Sequence, residues 1–144
     1  MIDSELAFNL ILRNDADVTA IVSTRIYNGK APQGAALPLV AHNLENDGDE
    51  IVVLDGLAGL NTDQRMRVFC SALTKAAAKR LSRTVRLALA AAAPGVISND
   101  ESPADTIQVQ GIFKSFGIAA YDETTKIWSV ITDYLVTTEQ EVPD

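Results

Sequence analysis

The chain has 144 residues and a formal net charge of −7, with 47% hydrophobic and 22% charged residues. These are the proportions of an ordinary soluble protein, and the length fits one domain, residues 1–144, that buries roughly 70% of its unfolded surface. No apolar run reaches the ~20 residues of a membrane span, and the acidic start Met1-Ile2-Asp3-Ser4-Glu5 reads as the approach to an amphipathic helix and not as a signal peptide.

Asp3 or Ser4 can cap a first helix to about Arg13, with Leu6, Leu10 and Ile11 as its buried stripe. Asn14-Asp15 interrupts it, and Asp15 can cap a short second helix to Val22. Two glycines and a proline make 28–36 a loop. A strand is expected over 37–45, then a turn at Asp47-Gly48-Asp49, after which Ile51–Leu54 pairs back briefly. The stretch from Asp55 to Asp63 reads as a loop and 64–72 as a strand, with Met66, Val68 and Cys70 on one side and Arg65, Arg67 and Phe69 on the other.

The clearest element is a helix over Thr74–Ala92, with Thr74 as N-cap and Pro94-Gly95 as its stop. Ala77, Leu81, Val85, Ala88, Leu89 and Ala92 form its apolar face, and Lys75, Lys79, Arg80, Arg83 and Arg86 lie opposite. The polar stretch 98–105 is expected as a mobile surface loop. Two long strands, about 106–121 and 126–138, follow as a hairpin across 122–125. Its second arm is apolar on both sides: Trp128, Val130, Tyr134 and Val136 on one, Ile127, Ile131 and Leu135 on the other. The second apolar side calls for a partner, and a neighbouring subunit could supply it.

Charge is unevenly placed. Residues 1–50 carry eight acids and three bases, residues 51–97 two and seven, and residues 98–144 nine and two. A net negative chain is poorly suited to wrapping duplex DNA, which needs clustered lysine and arginine. The basic middle third is either a solvated helix face or a contact with an acidic neighbouring subunit, with nucleic acid or membrane as a lesser alternative.

The search for chemistry is thin. Cys70 is the lone cysteine and reads as a small buried hydrophobe in a reducing compartment, and His42, the lone histidine, as a structural hydrogen-bonding residue. One of each cannot form a metal set with recognisable spacing. Asp47-Gly48-Asp49-Glu50 lacks the spacing of a calcium loop, and Asp55-Gly56-Leu57-Ala58-Gly59 is not followed by the Lys-Ser/Thr of a phosphate loop. No serine lies in a Gly-x-Ser-x-Gly setting. Catalytic residues, metal and cofactor are therefore not expected.

One order of motifs does stand out. Arg25-Ile26-Tyr27 leads through a loop holding Pro32 and Pro38 into the strand Leu39-Val40-Ala41. The strand Gln64–Ala72 then runs into the alanine-rich helix, and the chain closes on a strand pair containing Ile127-Trp128-Ser129-Val130 and Tyr134. In this order the chain resembles the tail-completion, or tail-terminator and tail-to-head joining, proteins of long-tailed bacteriophages, over almost its whole length.

That resemblance implies an α+β fold, an antiparallel sheet with helices packed mainly on one face. It implies a structural virion protein, assembled in the bacterial host cytoplasm as a homo-oligomeric ring, commonly a hexamer. Such a ring sits on the head-proximal end of the tail tube, ends tube polymerisation and presents the head-docking surface. Its partners would be the tail tube protein and a head connector or neck protein, with DNA passing through unbound and no membrane involved. Arg25, Tyr27, Pro32, Pro38, Lys75, Lys79, Arg83, Arg86, Trp128 and Tyr134 are the candidate partner and oligomer contacts, and Asp47, Asp49, Glu50, Asp122 and Glu123 the candidate acidic channel lining. A head-side neck or connector adaptor, or a small non-phage ligand-binding domain, is the alternative.

Overall fold

A computed structural model describes residues 3–45, 50–53, 59–99, 101 and 105–141. Three helices and seven strands lie among these: α1 Ser4–Arg13, α2 Ala16–Val22, β1 Ile26–Asn28, β2 Leu39–Leu44, β3 Glu50–Val53, β4 Gly59–Ala72, α3 Lys75–Ala92, β5 Gly95–Ser98, β6 Thr106–Asp122 and β7 Ile127–Glu141. Each helix begins where a side chain takes up orphan amides. Asp3 accepts from the Leu6 amide at 2.8 Å, Asp15 from the Asp17 and Val18 amides at 3.0 Å, and Thr74 from the Ala77 amide at 3.1 Å.

The strands form one sheet in the order β1-β2-β4-β7-β6-β5, with β3 added to β4 beside β2's end of the sheet. β1 runs parallel to β2, and the other pairings are antiparallel. The helices pack on one side only, which is the expected α+β architecture. The core lies between them and the inner sheet face: Phe8 and Leu12 of α1, Val18 and Val22 of α2, and Leu81, Val85 and Leu89 of α3 meet Val40, Met66, Val68, Cys70 and Val136. Each fully buried large side chain contributes about 1.5–3 kcal/mol relative to exposure.

Several expectations are corrected. Ile51–Val53 pairs with Asn61–Thr62 and Leu60 of β4 and not back onto β2, so β3 and β4 are consecutive antiparallel neighbours. β4 starts at Gly59, five positions before the expected Gln64, because its first half is held between β3 and β7. On α3, Ala78 is buried and Ala77 is exposed. The buried set Leu81, Val85, Ala88 and Leu89 centres on the flank nearer Ala78 at 100° per residue. Strands β1 and β5 were not expected at all, and Asn28 belongs to β1 and not to the loop expected from 28 to 36.

Of the segment 98–105, Ser98 ends β5, and the Asn99 amide donates to the Asp105 carbonyl at 2.9 Å, closing the connection. Residues 100 and 102–104 lie outside the described residues, as do the Asp47-Gly48-Asp49 turn and Leu54.

His42 shows what the inner face demands of a polar group. It is fully buried, 5.5 Å from the Phe8 ring, with Nε2 3.1 Å from Asn9 Nδ2 and Nδ1 unpartnered among the described residues. Burial lowers its pKa from 6.5 to about 4. At pH 7 the ring is neutral folded and unfolded alike. Below pH 6.5 only the unfolded chain takes up the proton, so stability is lost as pH falls from 6.5 towards 4, by about 3 kcal/mol at the lower end. Urea unfolding at pH 7 and pH 4.5 should show a clearly smaller acid loss in His42→Gln than in the wild type; an equal loss in both would refute this assignment.

Candidate assembly interface

The sheet face away from the helices is where the chain leaves apolar surface uncovered. Directly opposed residues of paired strands point to the same face. The registers Tyr27↔Ala41, Ala41↔Phe69, Phe69↔Ile131 and Ile131↔Ile118 therefore line up one outward row across β1, β2, β4, β7 and β6. On the same face, Phe113 opposes Leu135 and Phe116 opposes Asp133. Phe113, Phe116 and Ile118 are 62%, 58% and 52% exposed. Three large apolar side chains more than half bare on one strand make a patch of the kind that marks an interaction surface.

Polar pairs punctuate this face. Arg67 Nε and Nη2 donate to Asp133 at 2.9 and 3.2 Å, with Glu45 3.7 Å from Arg67 Nη1. The hydrogen bond to Asp133, then its charge, raise the Arg67 pKa further. The Ser71 and Ser129 hydroxyls are 2.8 Å apart across β4 and β7. Toward β1, a depression of about 580 Å³ opens between the Gly29–Ala31 turn and Leu39, Ala41 and Phe69.

The residues singled out in the sequence fall into different places. Tyr27 is half-buried at the end of the outward row. Arg25 clamps the loop to α2, its Nε donating to the Pro38 carbonyl at 2.8 Å and its Nη2 lying 3.5 Å from the Ile21 carbonyl. Pro32 is exposed and Pro38 half-buried. Trp128 points to the helix side, with Tyr121 at 5.0 Å and the Lys75 ammonium 5.3 Å from its ring centre. Tyr134 is 2% exposed and belongs to the core beside Phe8, so it is no surface anchor.

Lys79, Arg83 and Arg86 are exposed along α3. Asp122 and Glu123 are exposed at the β6–β7 turn, where Asp122 accepts from the Thr124 amide at 2.9 Å. Asp47 and Asp49 lie outside the described residues. Phe113, Phe116 and Ile118 were missed. The register shift at Ser115, between Phe113 and Phe116, breaks the period of two that would have placed them on one side.

Cys70 is buried and burial pushes its thiol up to about 12, so it carries no thiolate near neutral pH. Among the described residues no three His, Cys, Asp or Glu side chains cluster as metal ligands.

Phe113→Ser combined with Phe116→Ser should leave the melting temperature almost unchanged, because each exposed site is worth about 0.5 kcal/mol or less. The same variant should weaken self-association in sedimentation velocity. A large loss of stability, with the remaining folded protein associating normally, would place these rings in folding and not in assembly.

The family model described as Tail completion protein gp17 matches residues 10–139. A chain in the solved virion of a native gene transfer agent particle shares the fold, with a TM-score of 0.68, 23% identity and 95% of each chain covered. Among curated proteins no relative matches. The matched span runs from Leu10, within α1, to Glu139, two residues before the end of β7, and so takes in all or part of every element that builds the core and both sheet faces. The chain belongs to the tail completion protein gp17 family, structural proteins of the phage tail.

Proposed function

We propose that this protein closes into a ring, of six copies, at the head-proximal end of a phage tail tube, where it ends tube polymerisation and offers the docking surface for the head. The observation that carries the reading is the uncovered outer sheet face, with its row from Tyr27 to Ile118 and the bare rings of Phe113 and Phe116. The adjoining edge supports it. β5 pairs with β6 only as far as Val109, so from Gln110 to Asp122 one edge of β6 has no partner strand among the described residues. A free edge beside an apolar face invites a second chain. If the surface that meets it is a different one on the next copy, the contact is head-to-tail and closes when the rotation per subunit fits.

Bound to the last ring of tail tube protein, such a ring would deny the next tube subunit its site, while its other side meets a head connector or neck protein. Assembly in the host cytoplasm suits the reduced, buried Cys70. The genome must pass without being held, which a negative lumen achieves by repelling phosphate at short range. Asp122 and Glu123, with Asp47, Asp49 and Glu50, are the carboxylates assigned to that lining.

Negative-stain imaging of the concentrated protein, alone and with tail tubes, should show rings capping one tube end. Fluorescence anisotropy at physiological salt should show no binding of duplex DNA. Capture of portal complex but not of tail tube would move the protein to the head side of the junction. Tight, salt-sensitive DNA binding would overturn the negative lumen.

A further inference from the structure

A second surface lies on the helix side and shares only Ile118 with the outward apolar row. Between α3 and the β6–β7 hairpin lies an open cleft of about 290 Å³, with Lys79, Arg83 and Arg86 from the helix and Lys114 from β6 at its margin. Helical steps of three and four bring the first three onto one flank. Lys114 opposes Tyr134, and its chain lies over Gly117, where a Cβ would stand 3.1 Å from Lys114 Cε. The floor is Val130, Thr132 and the buried Tyr134.

Among the described residues no acid lines the cleft and none of the four cations is in an ion pair. Like charges gathered in this way repel one another, and a carboxylate brought in from outside relieves all four at once.

The opposite charge collects at one end of the sheet. There β5 ends, β6 begins and β7 ends, with Ser98 opposite Thr106 and Gln108 opposite Glu139. Glu101, Asp105 and Glu139 belong to this end, and no lysine or arginine occurs from residue 98 to 113 or from 127 to 144. Within one chain the two regions cannot meet. Asp105 and Lys114 are separated by extended strand at ~3.3 Å per residue, about 30 Å in all.

We propose that the cationic cleft of one copy receives the acidic sheet end of the next, with Glu101, Asp105 and Glu139 set against Lys79, Arg83, Arg86 and Lys114. This rests on the ring reading and names the electrostatic half of its head-to-tail contact. Complementary charge of this kind fixes orientation and speeds encounter. A second copy fits better than nucleic acid. The cations surround a bounded cleft instead of tracking a backbone, and the chain at −7 repels phosphate elsewhere.

The test uses the full chain in its assembled form. Carbodiimide coupling, which joins an amine only to a carboxylate it touches, should link Lys79 or Lys114 to Glu101, Asp105 or Glu139 in rings and not in the monomer fraction. Arg83→Glu with Arg86→Glu, both exposed and expected to fold by circular dichroism, should weaken ring formation about tenfold or more at low salt. Adding Glu101→Lys with Asp105→Lys to the same chain should restore it. Rings that survive the double variant unchanged overturn this assignment alone, as do lysine links exclusively to another protein, or duplex DNA binding that the double variant abolishes. Absence of rings from the wild type, alone and with tail tubes, overturns the ring reading and this one with it.

Discussion

Strand β4 hydrogen-bonds to β7 along its whole length, from Gly59 opposite Glu141 to Ala72 opposite Trp128, while its other edge is shared between β3 in the first half and β2 in the second. One strand thus joins three others, and every remaining element is placed relative to it. α3 leaves directly from its end at Ala72 and returns across the inner face, burying Leu81, Val85 and Leu89 against Met66, Val68 and Cys70. A slip of one residue in this pairing would turn those three β4 side chains outward and bring Arg67 and Phe69 into the core. The bidentate Arg67–Asp133 bond on the outer face and the core on the inner face select the same register.

The one-sided helical cover follows from chain order. α1 and α2 precede the sheet, α3 crosses it once, and after α3 the chain is β5, β6 and β7, with no described helix left to cover the other face. The outer face therefore keeps large apolar side chains exposed, Phe113, Phe116 and Ile118 among them. An enzyme concentrates its unusual groups in a cleft with perturbed pKa values. Here burial alone drives the large shifts of His42 and Cys70, and neither group is reachable from solvent. The unusual features are instead on surfaces: apolar rows on one side, uncompensated cations on the other, and carboxylates at one end. That distribution fits the ring proposed above, in which one copy would meet the next in one orientation.

The parts legible in the sequence share a physical cause, since each is decided within one or two helical turns or strand periods. The caps at Asp3, Asp15 and Thr74 act on amides two or three residues away. The apolar period of α3 is carried by its own spacing, and only at the margin, Ala78 against Ala77, did the packed sheet decide. The β6–β7 hairpin is announced by the polar turn 122–125 between two apolar runs. The motif order that resembles the tail-completion proteins is a linear property as well, and the family match over residues 10–139 agrees with it.

Tertiary structure alone decided what depends on which edges remain free. β3 joins β4 because the edge of β4 beyond Arg65 is not taken by β2, and β5, four residues long, is a strand only because the start of β6 is there to pair with it. The partner of Arg67 is 66 positions away and no local pattern points to it. The same holds for the outward row, whose five residues come from five strands, and for the cleft, where Lys114 joins the helix cations only once the hairpin folds beside α3. Sequence determined the helices, the long strands and the kind of protein, because capping, periodicity and motif order are local or linear. The surfaces proposed for assembly were decided by the fold, because they are made of residues that only strand pairing brings side by side.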